Sequence, residues 1–141
     1  MEKTEDQPIK VAGPESQTNE SKLEYKLDTE YKYRAVILKV VDADTVDANL
    51  DLGFGISMNQ RFRIDAYDAP ETWRPRNEAE KEHGTQATKR AYELLMYKNL
   101  FFVTSKKAGI YGRYGAQIIL PDGRDFATVM IQEGYEKNEE Y

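Results

Sequence analysis

The chain of 141 residues contains no cysteine and only one histidine. Disulfide scaffolds, thiolate zinc sites and cysteine nucleophiles are therefore excluded, although a thiol-free chain can fold in any redox compartment. Long apolar runs are also missing. The longest, such as Ala35 to Leu38 and Ile118 to Leu120, fall far short of the ~18 residues a membrane span requires. The opening Met-Glu-Lys-Thr-Glu-Asp has no basic stretch leading into an apolar one. No signal peptide is readable, and an intracellular, cytoplasmic protein is expected. Strong charge of one sign is absent from the body of the chain. The formal net charge is −5, but residues 1–30 hold eight acids and four lysines, which leaves 17 acids and 16 bases for residues 31–141. Bulk charge thus neither advertises nor forbids a polyanionic partner.

Two composition regimes remain. Residues 1–30 are mostly Glu, Lys, Gln, Ser, Thr, Asn and Pro, too poor in large apolar groups to offset the entropy of ordering. They read as a disordered acidic and polar tail, with residues 23–33 as a loose lead-in. From there to residue 141 the pattern is that of one domain. Val36, Leu38 and Val40 alternate along a first strand, and Val46, Ala48 and Leu50 alternate with Asp47, Asn49 and Asp51 along a second, the period of a strand with one dry face. Asp42-Ala43-Asp44 is turn chemistry between them. Gly53-Phe54-Gly55 closes the next hairpin, and Arg61 to Ala66 reads as a third strand with Phe62, Ile64 and Ala66 on one side.

Pro70 ends that strand, and Thr72 to Gly84 reads as a long polar loop carrying Trp73, Arg74 and Arg76. Ala87, Ala91, Leu94 and Leu95 predict an amphipathic helix over about 85–98. Leu100 to Thr104 and Tyr114 to Leu120 are further strands. Phe126, Val129 and Met130, with Gly134 beyond, describe a short capped helix. The fold class is mainly β with helices (α+β): a five-stranded OB-type barrel with two to three packed helices.

The chemistry-bearing residues gather at two junctions. Asp42 and Asp44 lie in a hairpin turn, while Asp68 and Glu71 follow the third strand. In a meander these junctions can share one rim of the barrel, giving the hard oxygen ligands that Ca²⁺ or Mg²⁺ takes. Aspartates in turns occur in every class of protein, so spacing alone does not separate a metal site from ordinary turn chemistry. Arg63 alternates with Phe62 and faces the other side of its strand. Arg113 stands just ahead of the last strand. Arginine suits bidentate phosphate contact, yet each one alone reads more readily as a surface ion-pair member. His83, in the polar stretch before the helix, reads as a surface or capping residue.

Four segments in order carry a resemblance. Phe62-Arg63-Ile64-Asp65-Ala66-Tyr67-Asp68-Ala69-Pro70-Glu71-Thr72 resembles the "FR-x4-D-x-PET" segment of the staphylococcal nuclease (thermonuclease-like) family. Val41 to Val46 resembles its "DGDTV" turn, and Tyr111-Gly112-Arg113 its "YGR". Pro121-Asp122-Gly123-Arg124 through Gly134-Tyr135 is similar to its "PDG" and "G-[LY]" ending. The resemblance spans residues 34–135 and implies a Ca²⁺-dependent phosphodiesterase, with Mg²⁺ or Mn²⁺ as possible substitutes. It implies metal-binding carboxylates at Asp44 and Asp68, a backbone oxygen at Ala69 and a second-shell acid at Asp42. Glu71 would orient or deprotonate the attacking water. Arg63 and Arg113 would hold the scissile phosphate, and Tyr111 would bind a substrate phosphate. Attack on phosphorus would leave 3′-phosphate ends on DNA or RNA.

Three departures from the family's pattern point to weaker substrate binding. Ile110 stands where the best-known members have lysine, no C-terminal helix of the longer members follows, and the domain is near neutral. Trp73, flanked by Arg74 and Arg76, would compensate by stacking a base and pairing phosphates, or Trp73 would only pin its loop to the barrel. The expected partner is single-stranded DNA or RNA, bound by a monomer. The competing reading is a non-catalytic OB-type nucleic-acid-binding module, which normally accompanies loss of an acid or an arginine; here Asp44, Asp68, Glu71, Arg63 and Arg113 are all present.

Overall fold

The structure is a computed structural model in which residues 31–104 and 114–141 are described. The tail read at residues 1–30, and Ile110, Tyr111 and Arg113 with it, lie outside the described residues. Five strands form a closed barrel: β1 (Tyr31–Asp42), β2 (Thr45–Gly53), β3 (Ile56–Ile64), β4 (Leu100–Thr104) and β5 (Tyr114–Ile119). Helix α1 (Glu78–Leu95) joins β3 to β4, and α2 (Phe126–Gln132) follows β5. The strand order around the barrel is β1-β2-β3-β5-β4, with β1 closing the ring by pairing antiparallel to β4 and β3 pairing parallel to β5. This is the OB-type architecture that the strand pattern indicates.

Alternation explains the interior. Ala35 and Ile37 of β1, Val46, Ala48 and Leu50 of β2, Phe62 and Ile64 of β3, Leu100 and Phe102 of β4, and Ala116 and Ile118 of β5 are all buried. Phe62 and Phe102 meet edge-to-face with centroids 5.2 Å apart, a contact worth about 0.5–1.5 kcal/mol beyond the area it buries. Helix α2 caps one side of this core with Phe126, Val129 and Met130. It ends in a Schellman pattern, in which the Tyr135 N–H donates to Met130 O and the Gly134 N–H to Ile131 O. Gly134 supplies the positive φ of 89° that this ending requires.

Several boundaries differ from those read in the sequence. Strand β1 begins at Tyr31, inside the stretch expected to be a loose lead-in, because Tyr31, Tyr33 and Ala35 pair with Thr104, Phe102 and Leu100. Strand β3 ends at Ile64 rather than Ala66. Ala66 takes a φ of 62° and is exposed, so the backbone turns there and presents Tyr67 to the core instead.

The largest difference is in α1, which begins at Glu78, well before residue 85, and stops at Leu95 rather than 98. Asn77 caps it, its side chain accepting the Glu80 N–H at 3.0 Å, a contact worth about 1 kcal/mol. The buried stripe of α1 is Glu80, Gly84, Ala87, Ala91 and Leu95. Its first two members are a charge and a glycine, so an apolar periodicity starts only at Ala87.

Candidate active site

The β1–β2 turn and the segment after β3 meet, and specific bonds hold them together. The Asp44 carbonyl accepts the Ile64 N–H at 2.8 Å, pinning the turn to the end of β3. The Asp44 carboxylate accepts the Ala69 N–H at 2.9 Å and the Thr45 hydroxyl at 3.1 Å. Two residues back, Asp42 accepts the Thr72 hydroxyl at 2.8 Å. Residues 42–44 and 68–72 are thus one spatial cluster.

Arg63 lies at its centre. Its Nη1 donates to the carbonyls of Ile64, at 2.9 Å, and Tyr67, at 2.6 Å, which fixes the guanidinium plane. Its Nη2 then faces both acids, hydrogen-bonding Asp68 and standing 3.5 Å from the Asp44 carboxylate. Asp68 is largely exposed, and its carbonyl accepts the Lys137 N–H at 2.8 Å, so the C-terminal segment braces the same loop. Beneath it the buried Tyr67 hydroxyl donates to Tyr135 O at 2.6 Å. Burial pushes the Tyr67 phenol pKa far up, and the negative charge of Asp44 pushes it further.

The remaining predicted residues fall into three groups. Glu71 has an exposed side chain, while its N–H donates to the buried Glu80 carboxylate at 3.1 Å. Ala69 contacts the cluster through its N–H, on Asp44, where the resemblance implied its carbonyl. Trp73 is 76% exposed, with the Arg74 guanidinium 4.3 Å from its ring centroid. That exposure removes the reading in which Trp73 pins the loop to the barrel.

Arg76 is engaged within the protein itself. Its Nε lies 3.2 Å from Glu80, its terminal nitrogens donate to the Asn138 and Glu139 carbonyls, and it covers the Tyr141 ring. These contacts make Arg76 a clasp between loop and C-terminal segment, while its side chain remains 45% exposed. His83 also belongs to that clasp. It sits within α1, with Nε2 2.7 Å from Gly134 O and Nδ1 against the Tyr141 hydroxyl. Because a carbonyl can only accept, Nε2 carries the proton in that arrangement.

Sequence reasoning missed Glu80 and Gly84. Glu80 is wholly buried and Gly84 also lies inside. The signal available was the Asn77-x-x-Glu80 capping spacing, which a polar stretch conceals. Arg113 and Tyr111 fall outside the described residues; Tyr114, the next residue in the chain, registers with Phe62 beside Arg63.

No curated protein matches the chain. The family model described as staphylococcal nuclease homologue matches residues 61–141, more than half of the chain; it takes in Arg63, Asp68 and Glu71, while Asp42 and Asp44 join them through the fold. On the barrel, the acid–arginine cluster and that match together, the chain belongs to the staphylococcal nuclease homologue family.

Proposed function

We propose that this domain is a metal-dependent nuclease that hydrolyses phosphodiester bonds in DNA or RNA by attack of water on phosphorus. The observation that carries the reading is the convergence of Asp44 and Asp68 on one nitrogen of Arg63. A site for phosphodiester hydrolysis needs positioned water, positive charge on the phosphate and little else.

The donor set suits a hard cation, because every candidate ligand is oxygen. Asp44 and Asp68 would hold it, the backbone oxygen of Ala69 is the third candidate, and Asp42 would stand behind them through Thr72. Among the described residues no group of three acidic, histidine or cysteine side chains is placed to hold an ion. Two carboxylates would therefore form the anionic share, with water supplying most of the roughly six to eight oxygens Ca²⁺ takes. When bound, the ion supplies Lewis-acid charge to the phosphate and lowers the pKa of nearby water. Arg63 keeps Nη1 on its two carbonyls and directs Nη2 to the side of Asp44 and Asp68, where it would meet a phosphate oxygen.

Glu71 orients the attacking water and takes its proton. Arg63 and Arg113 bind the equatorial oxygens as charge grows there, and Tyr111 binds a neighbouring phosphate. Trp73 offers its exposed ring to an unstacked base, with Arg74 beside it, which favours single-stranded substrate. The test is cleavage of single-stranded DNA, duplex DNA and RNA, each with Ca²⁺, Mg²⁺, Mn²⁺ or excess chelator. Expected are cleavage of single strands with Ca²⁺, 3′-phosphate ends, and arrest by chelator. Undiminished cleavage in chelator would remove the metal from the reaction. Tight binding of single strands with no cleavage under any ion would favour a non-catalytic binding module.

A further inference from the structure

We infer that Glu80 is a positioning residue of this site, a buried carboxylate that fixes the main chain from which Glu71 projects; the inference rests on the nuclease reading above. One oxygen of Glu80 accepts the Glu71 N–H at 3.1 Å, and the other accepts the Arg76 N–H at 2.8 Å. A single carboxylate therefore ties both ends of the segment 71–76, which contains no helix or strand. Arg76 Nε at 3.2 Å and Lys137 Nζ at 3.6 Å complete its partners. A carboxylate with no solvent exposure is costly unless every lone pair is met. Here the partners come from the loop and from the segment after α2, so Glu80 organises the loop and not merely its own helix.

One turn further along α1, Gly84 provides the matching gap. A Cβ there would lie 2.8 Å from Pro70 O and 3.0 Å from Glu71 O, distances at which the main chain must move. The loop consequently lies directly on the helix backbone. From the far side, the Thr72 hydroxyl bonds Asp42. Glu71 is held by its own N–H below, by contact with Gly84 beneath its carbonyl, and by the Thr72 tether next to it, while its carboxylate stays exposed. Both Glu80 oxygens are occupied by main-chain donors, which leaves none to act on substrate. The low pKa of Glu80, about 2, agrees with a permanently charged anchor, its first cause being the Arg76 N–H.

The physical consequence is that Glu80 acts on turnover through the placement of Glu71. A general base displaced by ~1 Å loses on the order of 10²-fold in rate, whereas Arg63, on β3, lies outside the tied segment; Trp73 and Arg74 move with the loop and bear on binding alone. In Glu80→Gln one amide oxygen replaces two carboxylate oxygens, and the NH₂ group must face a main-chain N–H. Gly84→Ala disturbs the same loop from the other side and leaves the carboxylate in place.

The experiment measures kcat and KM on single-stranded DNA with Ca²⁺ for the wild type and both variants, together with amide hydrogen exchange at Glu71 and Arg76 by NMR. In Glu80→Gln, kcat is expected to fall ~10²-fold, and any rise in KM from the displaced Trp73 and Arg74 to be smaller than that fall. The Glu71 or Arg76 amide should exchange at least ~10-fold faster, while Phe102 and Ile118 in the barrel keep their protection. Gly84→Ala should reproduce the kcat loss, and it decides the matter alone if Glu80→Gln does not fold. Variants that turn over like an active wild type, or a loss confined to KM, overturn the positioning role and leave the nuclease reading standing. A wild type that cleaves nothing under any ion overturns both.

Discussion

Arg63 illustrates how one side chain can be held before it acts. Two main-chain carbonyls fix Nη1, so the direction of Nη2 toward Asp44 and Asp68 follows from geometry rather than from a flexible surface pairing. Lysine has the charge but not the planar fork, and it cannot serve the carbonyls and the acids together. Arg63→Lys is therefore expected to lower kcat/KM by about 10²–10³-fold with an unchanged circular dichroism spectrum. Glu71→Gln should lower kcat by roughly 10²–10⁴-fold, the range for loss of a general base. Steady-state kinetics check both, and wild-type rates in either variant would detach that residue from the chemistry. At this scale the sequence was partly legible: alternation placed Arg63 opposite Phe62. The attachment of Arg76 to Asn138 and Glu139 was not legible, since those partners lie more than sixty residues away.

Helix α1 is the element on which the loop bearing Glu71 rests. Its later turns are held by an apolar stripe, and its first turns by Asn77 and the Glu80 anchor. The anchor has a pH signature. The Glu80 carboxyl is lowered from an ordinary 4.5 to about 2, so the folded state binds its proton less readily than the unfolded one. The resulting stabilisation is complete above pH 4.5 and disappears as pH falls toward 2. Thermal unfolding of the wild type and Glu80→Gln as a function of pH should show the largest gap in midpoint above pH 4.5, narrowing as pH 2 is approached. A gap independent of pH would mean that the charge contributes nothing. Periodicity found the stripe from Ala87 onward, but a helix whose buried face opens with Glu and Gly gives it no apolar signal.

For the molecule as a whole, closure of the barrel is the organising event. Strand β1 hydrogen-bonds β2 on one side and β4 on the other, and all five strands lie between Tyr31 and Ile119. The elements that bring Asp44, Arg63 and Asp68 together are thus contained in residues 31–141. Removing residues 1–30 is expected to leave the unfolding midpoint and nuclease rate close to those of the full chain. A collapse of either in the shortened protein, followed by calorimetry and the DNA assay, would make the N-terminal stretch part of the folded unit. Among the described residues no helix is long and apolar enough to cross a membrane.

Local rules were enough for the number and order of the strands, though not for the ends of β1 and β3, and for the β1–β2 turn and the capped ending of α2, because period-two alternation and turn residues act over a few neighbours. The order of motifs likewise carried the family. Which acids would share a guanidinium, which arginine the fold itself would take up, and where α1 would begin depended on partners distant in sequence. A buried carboxylate such as Glu80 is stable only when those partners arrive. It is indistinguishable from a solvated glutamate until the chain has closed around it.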